Sequence, residues 1–306
     1  MIVGAYVHMA VPHHNAGAEH MLHAILSELV RRGHECRVLI SQGKRRAGLG
    51  IADYTHDGVR TSENPAILDG IDVMVTHLDR TPEAERLARI RRIPLVQVFH
   101  NHQRPHMATY CQLAVYNTDW LKRDHPCAFP SIVVHPPIWA ERYLTTPGEC
   151  VTLINLSAEK GARLFYELAE LMPDVSFLGV KGAYGAQIVE HGNVRILDTR
   201  KDARDIYRLT RVLLMPSRYE SFGRCAVEAA VSGIPTVANP TPGLTEALGA
   251  AGTYPAKLDA TLWERAIRDV LADWPAFSQA AQERAAEFDP SFDVARLIGA
   301  MEALCT

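Results

Sequence analysis

The sequence predicts an α/β chain of two Rossmann-like domains, and three observations carry that prediction. Short apolar runs alternate with amphipathic stretches along the chain. Glycine-containing turns separate several of these runs from the helices that follow. The 306 residues, 47% hydrophobic and 22% charged, suit two domains of ordinary size and a globular composition.

The first alternation starts at the N-terminus. Met1 to Met9 reads as a short apolar strand. It lacks the basic start and long apolar core of a signal peptide, and no later run approaches the ~20 apolar residues of a membrane span, so a cytoplasmic location is expected. A loop containing Gly17 then opens a helix with Met21, Leu22, Ile25, Leu29 and Val30 at helical spacing, ending at Gly33 before a strand from Glu35 to Ile40. Ile71 to Thr76 reads as a strand, Arg80 to Arg92 as a charged helix, and Leu95 to Phe99 as a strand running into His100. A residue at the C-terminal end of a strand points into the crevice of an open α/β sheet, which makes His100 a candidate, with His102 in reserve. After the strand Ala114 to Asn117, two consecutive prolines within residues 133 to 139 suit a stiff connection, and a domain boundary is placed near residue 143.

Beyond it, Val151 to Leu156 reads as a strand, followed by a helix with Leu164, Phe165, Leu168 and Leu171 on one side. Strands Val175 to Val180 and Val194 to Leu197 come next. Residues 211 to 246 are the most informative stretch. Val212 to Met215 ends at Pro216-Ser217, a turn passes through Glu220 and Phe222-Gly223, and a helix from about Arg224 to Val231 stops at Ser232-Gly233 before Ile234 to Ala238. Such a turn places the backbone N–H groups of Gly223, Arg224 and Cys225 at a helix N-terminus, where the macrodipole favours an anion such as a diphosphate. Glu220 and Glu228 stand eight positions apart, at most ~12 Å at helical rise, about the length of a ribose–diphosphate–sugar array. Glu228, among apolar neighbours, needs a hydrogen-bonding partner such as two ribose hydroxyls. The competing reading has Glu220 capping the helix and Glu228 on a solvated face. Three final helices are expected over Trp263 to Trp274, Phe277 to Phe288 and Phe292 to Leu304.

Pro216, Ser217, Glu220, Phe222, Gly223, Glu228, Ala229, Gly233 and Pro235 form a PS-x-x-E-x-F-G…E-A-x-x-x-G-x-P pattern, followed by Gly243 and Glu246 in a G-x-x-E turn. This pattern resembles the E-x7-E donor motif of the family-4 retaining glycosyltransferases of GT-B fold. The resemblance implies two Rossmann-like domains facing a central cleft: an acceptor-side domain over 1–143, a nucleotide-sugar donor domain over 144–288, and a helix over 289–306 that crosses back onto the first domain. It implies transfer of a sugar, with retention of configuration, from a UDP- or GDP-type donor, with no metal, no cofactor and no covalent nucleophile.

The resemblance also distributes roles. Lys160, in a Lys160-Gly161 pair matching the family's K-G, and the amides from Ser221 through Phe222, Gly223 and Arg224 would meet the diphosphate. Glu228 would meet the ribose, Glu220 the donor sugar, and His100 the sugar or the positive charge developing on it. Gly17 and Glu19 match a G-G-x-E turn loosely, since Ala16 replaces its first glycine, and Thr118 replaces the serine of an S-x-x-L-K turn. The arginine that usually precedes the lysine is missing. Asn155 and Ser157 occupy its neighbourhood, with Arg224 or Arg163 as possible helpers. Asp198 falls in the loop that touches the nucleobase.

Composition narrows the remaining classes. Six cysteines without a C-x-x-C pair suit reduced thiols, and Cys225 reads as a packing residue. Fourteen histidines are many, and His13, His14, His20, His23, His100, His102 and His106 gather on loops, but none stands in an H-E-x-x-H spacing, so no metal is expected. The net charge of −3 excludes a global basic field for nucleic acid or anionic lipid. Basic clusters at Lys44-Arg45-Arg46 and at Arg86, Arg89, Arg91 and Arg92 read first as solvated faces. The acceptor stays open among small molecules, glycans, lipids, protein surfaces and modified DNA. A catalytically silent nucleotide-sugar binding module, or a GT-B epimerase or phosphorylase, is the alternative.

Overall fold

The apolar runs become strands of two mainly parallel sheets. The structure, a computed structural model, describes residues 1–41, 52–101, 107–182, 185–190 and 192–305. In the first sheet the strands are β1 (Ile2–Val7), β2 (Glu35–Ile40), β3 (Tyr54–His56), β4 (Val59–Ser62), β5 (Val73–His77), β6 (Leu95–Phe99), β7 (Leu113–Tyr116) and β8 (Ser131–Val133), in the order β3-β4-β2-β1-β5-β6-β7-β8. All neighbours are parallel except β3 and β4, which form a hairpin. Its turn, Asp57-Gly58, has positive φ at both residues (46° and 80°), the Asp-Gly chemistry that a tight hairpin favours. Strands β5 and β6 are buried at every position, as parallel strands covered on both faces must be.

The second sheet contains β9 (Cys150–Ile154), β10 (Phe177–Val180), β11 (Val194–Leu197), β12 (Thr210–Met215) and β13 (Thr236–Ala238), all parallel, in the order β11-β10-β9-β12-β13. Strand order reverses direction at β1/β5 in the first sheet and at β9/β12 in the second. In open α/β sheets such switch points leave a crevice beyond the strands' carboxyl ends where ligands bind.

The chain divides into two compact units, Met1–Pro137 with Pro290–Thr306, and Ile138–Asp289. The expected boundary near 143 moves to Pro137, because Ile138 and Tyr143 pack with Phe222, Val227 and Ala247 inside the second unit. The last helix, Pro290–Leu304, joins the first unit. Its Val294, Leu297, Ile298 and Met301 share a core with Val3, Ala5 and Val7 of β1 and with Met21, Leu22, Ile25 and Leu29 of the helix Gly17–Arg31. Burial of each such side chain contributes about 1.5–3 kcal/mol, which is why the chain returns there.

Thr118 takes over the serine's task in its turn. The buried hydroxyl accepts a hydrogen bond from Leu121 N and caps the helix Asp119–Asp124. Thr118→Ala is expected to cost about 1 kcal/mol, and Thr118→Ser almost nothing. Chemical denaturation of the two variants checks this.

No helix among the described residues is long and apolar enough to cross a membrane. All six cysteines are unbridged. In the second basic cluster Arg89 pairs with Glu85 and Arg91 with Asp69, so these charges are internally partnered. Lys44-Arg45-Arg46 lies outside the described residues.

Candidate functional site

At the switch point of the second unit, the segment after β12 is held by its neighbours on several sides. After β9 a short 3-10 turn, Ala158–Lys160, leads through Gly161 into the helix Ala162–Leu171. Gly161 has φ +84°, and a Cβ there would lie 2.5 Å from Pro216 Cγ. The glycine after Lys160 is therefore what lets the β9 loop lie directly on Pro216. Arg218 N donates to Glu159 O (3.0 Å), and Asn239 Nδ2 donates to Ser217 O (2.9 Å). A Cβ on Gly243 would overlap the backbone of Glu220 and Ser221. Three residues of the sequence pattern, Gly161, Pro216 and Gly243, thus act by fixing one loop.

That loop carries Glu220. Its carboxylate forms an ion pair with Lys160 Nζ and accepts a hydrogen bond from Ser217 Oγ (2.9 Å). Both side chains of the ion pair are mostly covered, 18% exposed for Lys160 and 14% for Glu220. Glu220 is thus not a helix cap. The helix Arg224–Ala230 begins after Gly223, whose φ is +93°.

Glu228 is buried on that helix, not solvated. The partner it requires is supplied by the protein itself: Tyr207 Oη donates to Oε2 (2.8 Å), and Arg224 reaches Oε1 through Nε (3.0 Å) and Nη2 (2.8 Å). Arg224 Nη2 also donates to Tyr143 Oη (2.8 Å). This corrects two expectations. Ribose hydroxyls are not needed to satisfy Glu228, and the Arg224 guanidinium is engaged with Glu228 and Tyr143. Arg163 is exposed on its helix. Burial, reinforced by the Glu228 carboxylate, pushes the Tyr207 phenol well above its ordinary pKa and that of Tyr143 up to about 12. Both remain hydrogen-bond donors across the physiological range. Tyr207→Phe leaves Glu228 one bond short in a buried place and should cost about 1–3 kcal/mol, read as a lowered melting temperature with no change in secondary structure.

The remaining sequence candidates divide. Asn155 is buried with φ +72°, and its Oδ1 accepts from Gln187 Nε2 (2.9 Å). Gln187 Oε1 in turn accepts from Leu156 N and Gly182 N. Ser157 is buried and forms an isolated bridge with Gln187. Asn155 and Ser157 therefore build a loop latch; they add no cation in place of the missing arginine. Ser221 is half-buried with its backbone against Gly243. The Phe222 ring is core, edge-to-face with Phe288 at 5.3 Å, so only its backbone can serve a ligand. Asp198 is exposed beyond β11 and pairs with Lys181 Nζ at 2.9 Å. Burial raises the Cys225 thiol to about 12, an inert packing residue as expected.

In the first unit, His100 follows β6 and is buried against His77, the last residue of β5, with ring centroids 4.9 Å apart in an edge-to-face arrangement. Burial, with the neighbouring His77 adding to it, holds the His100 pKa well below its ordinary value, so His100 is a neutral imidazole. Gly17 is the exposed first residue of its helix. Glu19, in the same first turn, is buried between His8 and His14. His102 and His106 lie outside the described residues. Tyr207, Tyr143, Gln187, His8 and His77 were not singled out from the sequence. Only His8 and His77 carried a usable signal, as polar residues at the ends of apolar strands.

The loop after β9, the E-x7-E turn and the buried carboxylate coincide with a family match. The family described as Glycosyl transferases group 1 matches residues 155–273. This chain resembles the GT-B glycosyltransferases. D-inositol 3-phosphate glycosyltransferase of Mycolicibacterium vanbaalenii is 31% identical over 166 residues, 45% of this chain and 37% of that protein. The enzyme of the same name from Corynebacterium diphtheriae is 38% identical over 102 residues, 31% of this chain and 24% of its own. The matched region thus spans between about a quarter and little more than a third of these curated relatives. Among solved structures, sucrose-phosphate synthase from Thermosynechococcus elongatus has a TM-score of 0.74 at 14% identity, covering 98% of each chain. HepE from Anabaena, in complex with UDP-glucose, has a TM-score of 0.74 at 17% identity, covering 99% of this chain and 100% of its own. At those identities the likeness is one of fold: two Rossmann-like α/β domains of the GT-B type.

Proposed function

We propose that the chain is a glycosyltransferase that moves a sugar from a nucleoside-diphosphate sugar to a hydroxyl acceptor with retention of anomeric configuration. The observation that carries this reading is the Lys160–Glu220 pair, held mostly covered at the β9/β12 switch point by Gly161, Ser217 and Gly243. A lysine poised there can turn its ammonium from the carboxylate to a diphosphate as that group leaves, with no metal on the diphosphate. The backbone from Ser221 to Arg224 would supply N–H donors to the same phosphates, and Asp198 would lie near the base. Glu220 would then face the sugar, and Glu228, already fixed by Arg224 and Tyr207, would offer its carboxylate edge to the ribose. The anomeric C–O bond to the diphosphate breaks as the acceptor oxygen bonds from the same face, and the acceptor proton passes to the leaving phosphate oxygen.

A thermal-shift titration with UDP, GDP and ADP in the presence of a chelator tests the donor site. A nucleotide at ~100 times its dissociation constant raises stability by about 2.7 kcal/mol. Stabilisation by one of them that Glu228→Ala removes supports the reading, and no stabilisation by any of them overturns it. Donor consumption followed by NMR then reports the anomeric configuration of the product. Binding without consumption across acceptors would identify a silent binding module.

A further inference from the structure

The first unit carries a second cluster, of which the transfer reading uses only His100. Four histidine rings line the β1/β5 switch point: His14 lies edge-on to His8 (centroids 5.7 Å), His8 is 6.0 Å from His77, and His77 is 4.9 Å from His100. Three of its members come from different places near the start of the chain. His8 directly follows β1, His14 lies in the loop after it, and Glu19 sits in the first turn of the helix Gly17–Arg31.

Glu19 Oε1 lies 3.1 Å from His8 Nε2 and 3.2 Å from His14 Nδ1. All three potential ligand atoms lie within 4.8 Å of one another. With metal–ligand bonds of about 2.0–2.1 Å, the edge of a tetrahedral zinc site is about 3.3 Å, so two of the three edges are already close to the length such an ion requires. The side chains are covered: Glu19 is 4% exposed and His14 9%. Glu19 Oε2 and His14 Nε2 are buried without a hydrogen-bond partner, which is costly for polar atoms unless something polar engages them. His8 Nδ1 is likewise buried without a hydrogen-bond partner, with Asp79 Oδ1 3.9 Å away, beyond hydrogen-bond distance.

From this geometry we infer a site for one divalent transition-metal ion of the zinc class, held by His8 Nε2, His14 Nδ1 and Glu19 Oε1. Two imidazoles and one carboxylate suit such borderline ions and discriminate against Mg²⁺ and Ca²⁺, which prefer oxygen ligands. Three protein ligands leave a fourth position open, the arrangement of sites that hold a water or an oxygen of a bound molecule. The site stands in the unit that does not contain the Lys160–Glu220 pair, so it neither needs nor replaces the diphosphate chemistry proposed above. The absence of an H-E-x-x-H spacing follows from the topology, since a strand end, a loop and a helix turn supply one ligand each.

The test uses untagged, chelator-treated protein. Equilibrium dialysis against Zn²⁺ should give one ion per chain. Co²⁺ should give visible absorption of the intensity expected for a low-coordinate nitrogen/oxygen site, displaced by Zn²⁺ and indifferent to excess Mg²⁺. His8→Ala and His14→Ala should each weaken Zn²⁺ binding by more than about 100-fold. His23→Ala, at the separate His23–His56–Asp57 group whose ligand atoms also lie within 4.8 Å of one another, should leave binding unchanged. Far-UV circular dichroism of each metal-free variant separates loss of a ligand from loss of fold, and Glu19→Gln provides an isosteric second probe. Less than one ion per chain, or binding that His8→Ala and His14→Ala leave intact, overturns the inference and leaves a hydrogen-bonded His–Glu–His cluster. None of these readouts depends on sugar transfer, so failure of the metal site and failure of the donor site are distinguishable.

Discussion

Lys160→Ala is expected to lower kcat by about 10²–10³-fold, the cost of removing one preorganised group from a developing oxyanion. The lysine is only 18% exposed and sits beside Glu220, so its charge is poorly screened and would act strongly on a departing diphosphate. The same substitution leaves a covered carboxylate held by Ser217 Oγ without its counter-charge, which should destabilise the fold by about 1–3 kcal/mol. The two effects separate in Lys160→Ala combined with Glu220→Gln. The neutral amide needs no counter-charge, so melting temperature should recover while turnover stays low. If the double variant turns over as fast as Glu220→Gln alone, Lys160 acts only as a structural partner of Glu220. Lys160→Arg should retain little activity, because a planar guanidinium does not reproduce a compact ammonium in a loop packed on Pro216.

Gly243→Ala should be the second large effect, and it touches no proposed ligand contact by its own side chain. The added Cβ would meet the backbone at Glu220 and Ser221. Backbone cannot swing aside as a flexible side chain can, so the helix Pro242–Leu248 or the loop must shift, at about 1–3 kcal/mol. The expected result is a melting temperature several degrees lower and loss of nucleotide stabilisation, since the shift falls on the residues that precede Gly223. Gly299→Ala is the matched control with the opposite sign. It lies exposed in the helix Pro290–Leu304, with nothing within 4 Å of an added Cβ, and should stabilise by about 0.5–1 kcal/mol. A Gly243→Ala protein that melts and binds nucleotide like the wild type would show that the loop is not held from this side.

Much of the architecture was legible because its signals are local. The strands Glu35–Ile40, Leu95–Phe99 and Val194–Leu197 stand where their apolar runs place them, and the helix after Gly223 begins at Arg224 as its turn residues indicate. The hairpin β3–β4 was not read, since strands of three and four residues give too few alternations to register, although Asp57-Gly58 carried the turn signal. The boundary was placed six residues late because Ile138 and Tyr143 are recruited by side chains some 80 residues away, Phe222 and Val227 among them.

The sequence by itself determined the alternation of strands and helices, the two-domain α/β class, and the loop that carries Glu220, because apolar periodicity and turn chemistry act over a few neighbouring residues. The partners of the charged groups were decided only by the tertiary structure. Arg224 turns to Glu228 and Tyr143, Asn155 to Gln187, and Glu19 to His8 and His14. Such pairings follow from which strand ends the sheet order sets side by side, and a buried charge takes whichever polar atom that order brings within reach.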